Sequence, residues 1–421
     1  MIRWIGADEV GRLLRPGMTV FVAGATAEPS EILEALLRQG ECCAGVHFVS
    51  VSLPGVNHFD FCDLHADASS QAFFATAANR KSLQAGRLDF KRLRYSEIFE
   101  YLSAALQIDL ALVQLPPFHK GNQVSMGLCA DFLPAVIDKA GLVIGEINAR
   151  QPVPVDAPVI RTKRLDYAVA CDRAVPIIPV PDATAEADQI GKLVAQQVED
   201  GSCVQVGMGV IPNAVLGALG EKNDLGCHSG MITEGIMQLA IAGNLNGACK
   251  ALDTGKIVTG VVLGSEALIQ WAGSARKLLI RPVSYTHDSD RIGQIDRFVS
   301  INSALEVDLS GQVNAETIGD RPVSGPGGAV DMMRGAARSS GGKSFVALNS
   351  TAKGGQVSRI VTALNPDTPV TATRDDVDYI VTEFGARRIR GLAAAARAET
   401  LIEIAHPDFR QQLKAEWNKL H

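Results

Sequence analysis

Residues 224–235 read DLGCHSGMITEG. Within 228–235 the only acid is Glu234. It can be a carboxylate that does chemistry, or the acidic residue that helix starts favour through the macrodipole, with Thr233 as cap. His228 is the only one of the eight histidines within a glycine-rich segment, and Gly230 stands in the middle of it. Two further glycine-rich turns follow apolar runs: GMGVIP (207–212) and SGPGGAVDMMRGA (324–336). Glycine lets backbone N–H groups approach a ligand closely. Such groups at a helix start favour a phosphate or a developing oxyanion. Three turns of this kind suit a shared ligand, although glycine turns are also common in α/β folds.

Other motifs fail. In GMGVIP the third glycine of a dinucleotide fingerprint is replaced by Pro212. SSGGKSF (339–345) would need a glycine at Ala337 to be a phosphate loop, and an apolar strand-like run follows it instead of a helix. There is no H-E-x-x-H, no EF-hand loop and no G-x-S-x-G elbow. The scattered histidines form no metal cluster, so no metal is expected. His406, before Pro407, reads as a helix-end residue.

The elements that must hold these turns emerge from a repeat. VFVAGATAEPSEILEALL (20–37) and VQVGMGVIPNAVLGALG (204–220) align on Pro29 and Pro212. Gly24 and Gly207 then match. Ile32, Leu33, Ala35 and Leu36 fall at the offsets of Val215, Leu216, Ala218 and Leu219. Each unit reads as a buried strand, a glycine turn and a helix with one apolar face, its proline in the first helical turn. The two glycines lie 183 positions apart, about one domain.

Apolar strands are expected at 108–117, 141–148, 344–351 and 377–386. Helical patterns are LEALLRQ, FLPAVIDKA, IGKLVAQQV and AVLGALG. Their alternation predicts mostly parallel sheets. The fold class is therefore α/β, with two similar domains, 1–185 and 186–421, and ligands expected at the carboxyl ends of strands in the cleft between them. A Pro-containing connection spans 164–189, with Asp182 or Thr184 as cap of the next helix. The tail is helical and broken at Pro407.

Composition agrees with a large soluble protein. Of 421 residues, 47% are hydrophobic and 20% charged, with 40 glycines and only 5% aromatics. The net charge of −6 and the absence of a basic block argue against nucleic acid as a partner. The eight cysteines include no C-x-x-C and read as buried free thiols. The N-terminus is not a signal peptide and no stretch reaches membrane-helix length. A cytoplasmic location without membrane attachment is expected.

INSALEVDLSGQVNAETIG (301–319), SGPGGAVDMMRGA, SRIV (358–361), VTEFG (381–385) and AHPDFR (405–410) resemble the acetyl-CoA hydrolase/transferase family, in its 4-hydroxybutyrate and acetate CoA-transferase branch. PPFHKGNQVSMG and LVIGEINARQPVP resemble its N-terminal half. The resemblance implies two similar α/β domains and transfer of CoA from an acyl thioester to a small free carboxylate. It implies a glutamate nucleophile, anhydride and enzyme–CoA thioester intermediates, ping-pong kinetics, and no permanently bound cofactor. A homodimer or higher homo-oligomer is implied as well. By the same resemblance, Gly207, Met208, Gly209, Val210, Ile211, Asn302, Gly325 and Asn349 contact CoA, and the Gly325 N–H helps hold the thioester oxygen.

The chain departs from the family where it matters most. The family usually reads HTEM, followed a little later by Asp-Gly; this chain reads HSGM, then ITEG. Gly230 stands at the nucleophile's position and Glu234 where the family has its Asp. Glu234, one helical turn (about 5.4 Å) further on, takes over the role, or it is only a helix-start residue and Asp60 or Asp63 of SLPGVNHFDFCDL supplies the acid. Ala329 replaces a frequent Gln, so no specific substrate carries over. The leading expectation is a CoA-transferase. An acyl-CoA hydrolase is the alternative, and a catalytically silent CoA-ester-binding protein the reading from another class.

Overall fold

The computed structural model describes residues 2–118, 121–179 and 182–420. His119 and Lys120 of the family-like PPFHKGNQVSMG segment, and Val180 and Pro181 of the expected connection, lie outside the described residues. The chain divides into two compact units. The first comprises Met1–Pro179, Val258–Thr286 and Val323–Gly325; the second comprises Val180–Ile257, His287–Pro322 and Pro326–His421.

In the first unit eight strands form one sheet: β1 (Arg3–Trp4), β2 (Thr19–Val22), β3 (His47–Ser50), β4 (Ser69–Ala72), β5 (Leu88–Phe90), β6 (Leu110–Leu115), β7 (Leu142–Asn148) and β8 (Tyr167–Cys171). Their order is β1-β8-β7-β6-β2-β3-β4-β5, and every pairing is parallel. Central strand β6 is buried along its whole length, as expected of a parallel strand covered on both faces. Helix α1 (Ser30–Arg38) follows β2 and buries Ile32, Leu33, Ala35 and Leu36, the face that the repeat predicts. Ile32, Leu33 and Leu36 pack with Val20, Val22, Phe48, Leu110, Leu112 and Ile144. Each such burial contributes about 1.5–3 kcal/mol.

The second unit repeats the plan. It contains α2 (Ala185–Ala195), β9 (Cys203–Val206), α3 (Val210–Ala218), β10 (Gly226–His228), α4 (Glu234–Ala242), β11 (Phe298–Ser303), α5 (Ala329–Arg338), β12 (Lys343–Ala347), β13 (Tyr379–Thr382) and β14 (Gly385–Arg388), then α6 (Ala394–Glu403) and α7 (Pro407–Leu420). Strands run in the order β10-β9-β11-β12-β13-β14, parallel except for the last pair. The first five match β3-β2-β6-β7-β8 of the first unit strand for strand, so the repeat extends beyond the two segments that reveal it in the sequence.

Details differ from expectation. Pro29 stands just before α1, whereas Pro212 is the third residue of α3. Thr184, not Asp182, caps α2 by accepting from the Ala187 N–H at 3.2 Å. Six of the eight cysteines are buried, but Cys42 is half-buried and Cys249 exposed. No helix among the described residues is long and apolar enough to cross a membrane.

Two of the first unit's buried carboxyl groups have no signal in the composition. Glu146, at the end of β7, accepts the Ile32 N–H at 2.9 Å and so satisfies an amide in the first turn of α1. Burial raises it to about 7 against the opposing pull of that amide. Glu28 is pushed up to about 8 by burial, with the Asn57 side chain opposing and Glu146 adding to the rise. Both groups keep protons in the folded chain that an unfolded chain has released. Stability from them is therefore lost as pH rises from 4.5 toward 8. Glu28→Gln is expected to flatten this part of the curve, measured as the thermal midpoint of wild type and variant across that pH range.

Candidate active site

Five parallel strands of the second unit end on one edge of its sheet, and the turns after them carry the polar groups. After β9 the chain passes through Gly207, Met208 and Gly209 into α3. Gly209 sits at φ 127° as the N-cap, a conformation that glycine permits and L side chains rarely adopt. The Gly207 N–H is already committed to the Ile301 carbonyl at 3.0 Å. The amides of this turn without such a partner are therefore sought further on. Val210 and Ile211 open α3, where amides have no intrahelical acceptor, and a glycine N-cap provides no side-chain acceptor. Met208 is exposed.

Beside this turn, Asn302 near the end of β11 belongs to a closed hydrogen-bond ring. Its Nδ2 donates to Gln205 Oε1 at 3.2 Å and to Ser300 Oγ at 2.9 Å. Ser300 donates to Gln205 Oε1 at 2.8 Å, and Gln205 Nε2 donates to Asn302 Oδ1 at 3.3 Å. All three residues are buried. The ring fixes the amide of Asn302 beside Gly207, whose α-carbon would carry a Cβ 3.5 Å from Asn302 Oδ1. On the next strand, β12 leads into Asn349, whose Oδ1 is buried and accepts no hydrogen bond. An acceptor in that state is costly unless a donor reaches it. Glu383, after β13, takes the Ser350 N–H at 2.9 Å and the Ser350 hydroxyl at 2.5 Å, which pins the chain next to Asn349.

Glu234 is the first residue of α4, with Thr233 at the N-cap. The Thr233 hydroxyl makes no capping bond, contrary to expectation. Gly235 lies so close to α3 that a Cβ there would come 2.6 Å from Leu216 Cβ. The start of α4 is thus packed on the helix that the Gly207–Gly209 turn begins. Glu234 is half-buried. The structure therefore gathers Gly207, Met208, Gly209, Val210, Ile211, Glu234, Asn302 and Asn349 in one unit.

The other expected residues lie in the first unit. Gly325 packs on the backbone of β4's successor, where a Cβ would fall 2.1 Å from the Phe73 carbonyl oxygen. Asp60 is buried, accepting from the Cys62 N–H at 3.1 Å and from the Ser82 hydroxyl at 2.6 Å. That places it as the cap of a short turn. Asp63 is exposed.

One residue at the site escaped the sequence reading. The ring of His287 lies against the backbone of Gly230: a Cβ there would meet His287 Cε1 at 2.6 Å. The same ring also lies against Gly328, where a Cβ would meet His287 Nε2 at 2.2 Å. Burial, with His228 adding to it, lowers His287 to about 3, so the ring is neutral. The stability it confers is complete above pH 6.5 and declines as pH falls toward 3. The signal in the sequence was a pair of glycines, in HSGM and GPGG, that no turn geometry required.

Comparisons with known proteins identify the family. Residues 3–179 match the acetyl-CoA hydrolase/transferase N-terminal domain, and residues 264–417 the acetyl-CoA hydrolase/transferase C-terminal domain. The chain belongs to the acetyl-CoA hydrolase/transferase family. It is an enzyme of that family, similar to the succinyl-CoA:cyclohexane-1-carboxylate CoA transferase of Geobacter metallireducens, with 34% identity over 94% of this chain and 88% of that one. Identity to the 4-hydroxybutyrate coenzyme A transferase of Clostridium kluyveri is 35%, over 95% and 94%. Among solved structures, RipA from Yersinia pestis superposes with a TM-score of 0.92 at 30% identity, covering 100% of this chain and 98% of that chain.

The Glu383 clamp makes a direct prediction for this family member. Glu383→Ala leaves the Ser350 N–H and hydroxyl without their charged acceptor. Hydrogen bonds to charged groups contribute about 1.5–3 kcal/mol, so urea unfolding is expected to show a loss of that size.

Proposed function

We propose that this chain is a CoA-transferase that moves CoA between an acyl-CoA and a small free carboxylic acid, with Glu234 as its nucleophile. The observation that carries the proposal is the position of Glu234. It opens a helix packed on α3, the helix begun by the Gly207–Gly209 turn, in the unit that also holds Asn302 and Asn349. Amides of Val210 and Ile211 suit the phosphate-bearing end of CoA. The unsatisfied Asn349 Oδ1 suits an N–H of its pantetheine arm. Gly325 is proposed to supply an N–H to the thioester oxygen.

The reaction proceeds in balanced steps. A carboxylate oxygen of Glu234 attacks the acyl carbon, the C–S bond breaks, and CoA leaves as thiolate from a mixed anhydride. The thiolate attacks the glutamyl carbonyl, releasing the first acid and leaving a glutamyl–CoA thioester. The acceptor carboxylate attacks that thioester, forming a second anhydride and again freeing CoA thiolate. Attack of the thiolate on the acceptor's acyl carbon gives the new acyl-CoA and restores Glu234. Each attack replaces one difficult exchange by two easier ones, and the two substrates react in turn. The curated relatives at about one-third identity are named transferases, which favours transfer over hydrolysis.

The test is incubation with acetyl-CoA and a panel of C4 and C5 acids, followed by mass spectrometry. New acyl-CoA species are expected, and their formation should follow ping-pong kinetics. CoA release that ignores the added acid would instead identify a hydrolase, and no turnover at all a binding protein. Borohydride trapping of the enzyme thioester should map to Glu234. Glu234→Gln should lower kcat by at least about 10³-fold, the scale on which loss of a covalent nucleophile acts. A trapped peptide outside 228–237 overturns the assignment.

A further inference from the structure

Gly230 and Gly328 belong to different segments of the second unit, and neither adopts the left-handed backbone that would itself require glycine. What they share is His287. Its imidazole is the first thing a Cβ at either position would meet, at 2.6 Å from one and 2.2 Å from the other. Contacts this short do not occur for real Cβ atoms, and in each case they fall on the ring itself. The ring is not at the tip of a flexible chain in open solvent, since His287 is only 5% exposed. It is held by the short helix Ser289–Ile292 that follows, whose cap Asp288 accepts from the N–H groups of Asp290 and Arg291. Ile292 of that helix is in the core with Phe298, Met332 and Ala336. Moving the ring away therefore means disturbing a packed core.

We propose that His287 is a positioning residue whose imidazole takes the space of a side chain at position 230, so that the 228–235 segment presents Glu234 as its one carboxylate. His287 also joins this segment to the turn at 326–328, since both backbones rest against one ring. The catalytic half of the proposal rests on the role of Glu234 above; the steric half does not.

Two measurements on the full-length protein test the halves separately. The first is a thermal cycle of wild type, Gly230→Ala, His287→Ala and the double variant. Gly230→Ala should lower the midpoint by several degrees while His287 is present, and by less than half as much in the His287→Ala background. Additive shifts overturn the wedge. Gly328→Ala in the same two backgrounds serves if a Gly230 variant does not fold, with the same expectation. The second measurement is positional and kinetic. His287→Ala should lower kcat by about 10²-fold, the scale of an ångström misplacement, with KM for acetyl-CoA little changed. Borohydride trapping of Gly230→Glu/His287→Ala should place the label at position 230, whereas Gly230→Glu alone should carry none there. Label at 230 with His287 intact, or none there in the folded double variant, overturns the proposal. A wild-type label outside 228–237 sinks only the Glu234 reading and leaves the thermal cycle to judge His287.

Discussion

Every parallel strand that turns into a helix creates amides without intrahelical acceptors, and the two units answer that constraint differently. In the first, Glu146 reaches from β7 to the Ile32 N–H in the opening turn of α1. The acceptor is part of the protein, buried and raised to about 7. In the second, the matching helix α3 starts behind Gly209, which has no side chain, and has Pro212 as its third residue. The same strand–turn–helix unit thus has a side-chain acceptor from within the protein in one half and no side-chain cap at the helix start in the other. A buried carboxyl group is expensive to leave unpaired, and the turn around it is held by further side-chain hydrogen bonds. Asn57 shows how: its Oδ1 accepts the Ala25 and Leu53 N–H groups at 2.9 Å each, holding the turn that carries Glu28.

The uncapped version needs rigidity without a carboxylate at the helix start, and the sheet edge supplies it. Gln205, Ser300 and Asn302 satisfy one another across β9 and β11, so Asn302 is oriented before any ligand arrives. Glu383 does the same for the chain beside Asn349 from β13. Each device uses a side chain from a neighbouring strand, which only parallel register at a common edge allows. Orienting groups in advance lowers the ordering cost of binding. Asn349 Oδ1 is left unsatisfied beside Ser350, whose N–H and hydroxyl are both bonded to Glu383.

Much of this could be read from the sequence, because it is local or periodic. The strand at 108–117 is a mostly apolar run broken only by Asp109 and Gln114, and β6 occupies its centre. Pro407 breaks the tail, and α7 begins there. The shared spacing around Pro29 and Pro212 marks the repeat, which the strand orders extend. What stayed hidden depends on residues brought together from afar. Glu146 lies 114 positions from the amide it caps, and His287 follows Gly230 by 57. Neither spacing has a period that a pattern could report. Asp182 and Thr184 offered equal capping chemistry in the sequence; the backbone chose Thr184 because its hydroxyl is three residues before the Ala187 N–H, the spacing an N-cap needs. Gly230 was legible as an anomaly and not as an explanation, since a missing side chain says nothing about what fills its place.

The proposed shift of the acid from 230 to 234 changes more than distance. At 230 a residue stands between two short strands; at 234 it is the first residue of α4. A carboxylate at a helix start gains about 0.3–1 kcal/mol from the dipole while it is ionised. On the proposed pathway it loses that contribution when acylated, because the anhydride and the thioester are neutral, and recovers it when released. The helix therefore biases each cycle slightly toward the free enzyme and away from a stalled covalent state. The bias is small against the barriers of acyl transfer, and it acts equally on both acids being exchanged. A reaction that swaps one thioester for another of similar energy tolerates such a bias, because it asks only that neither intermediate become a sink.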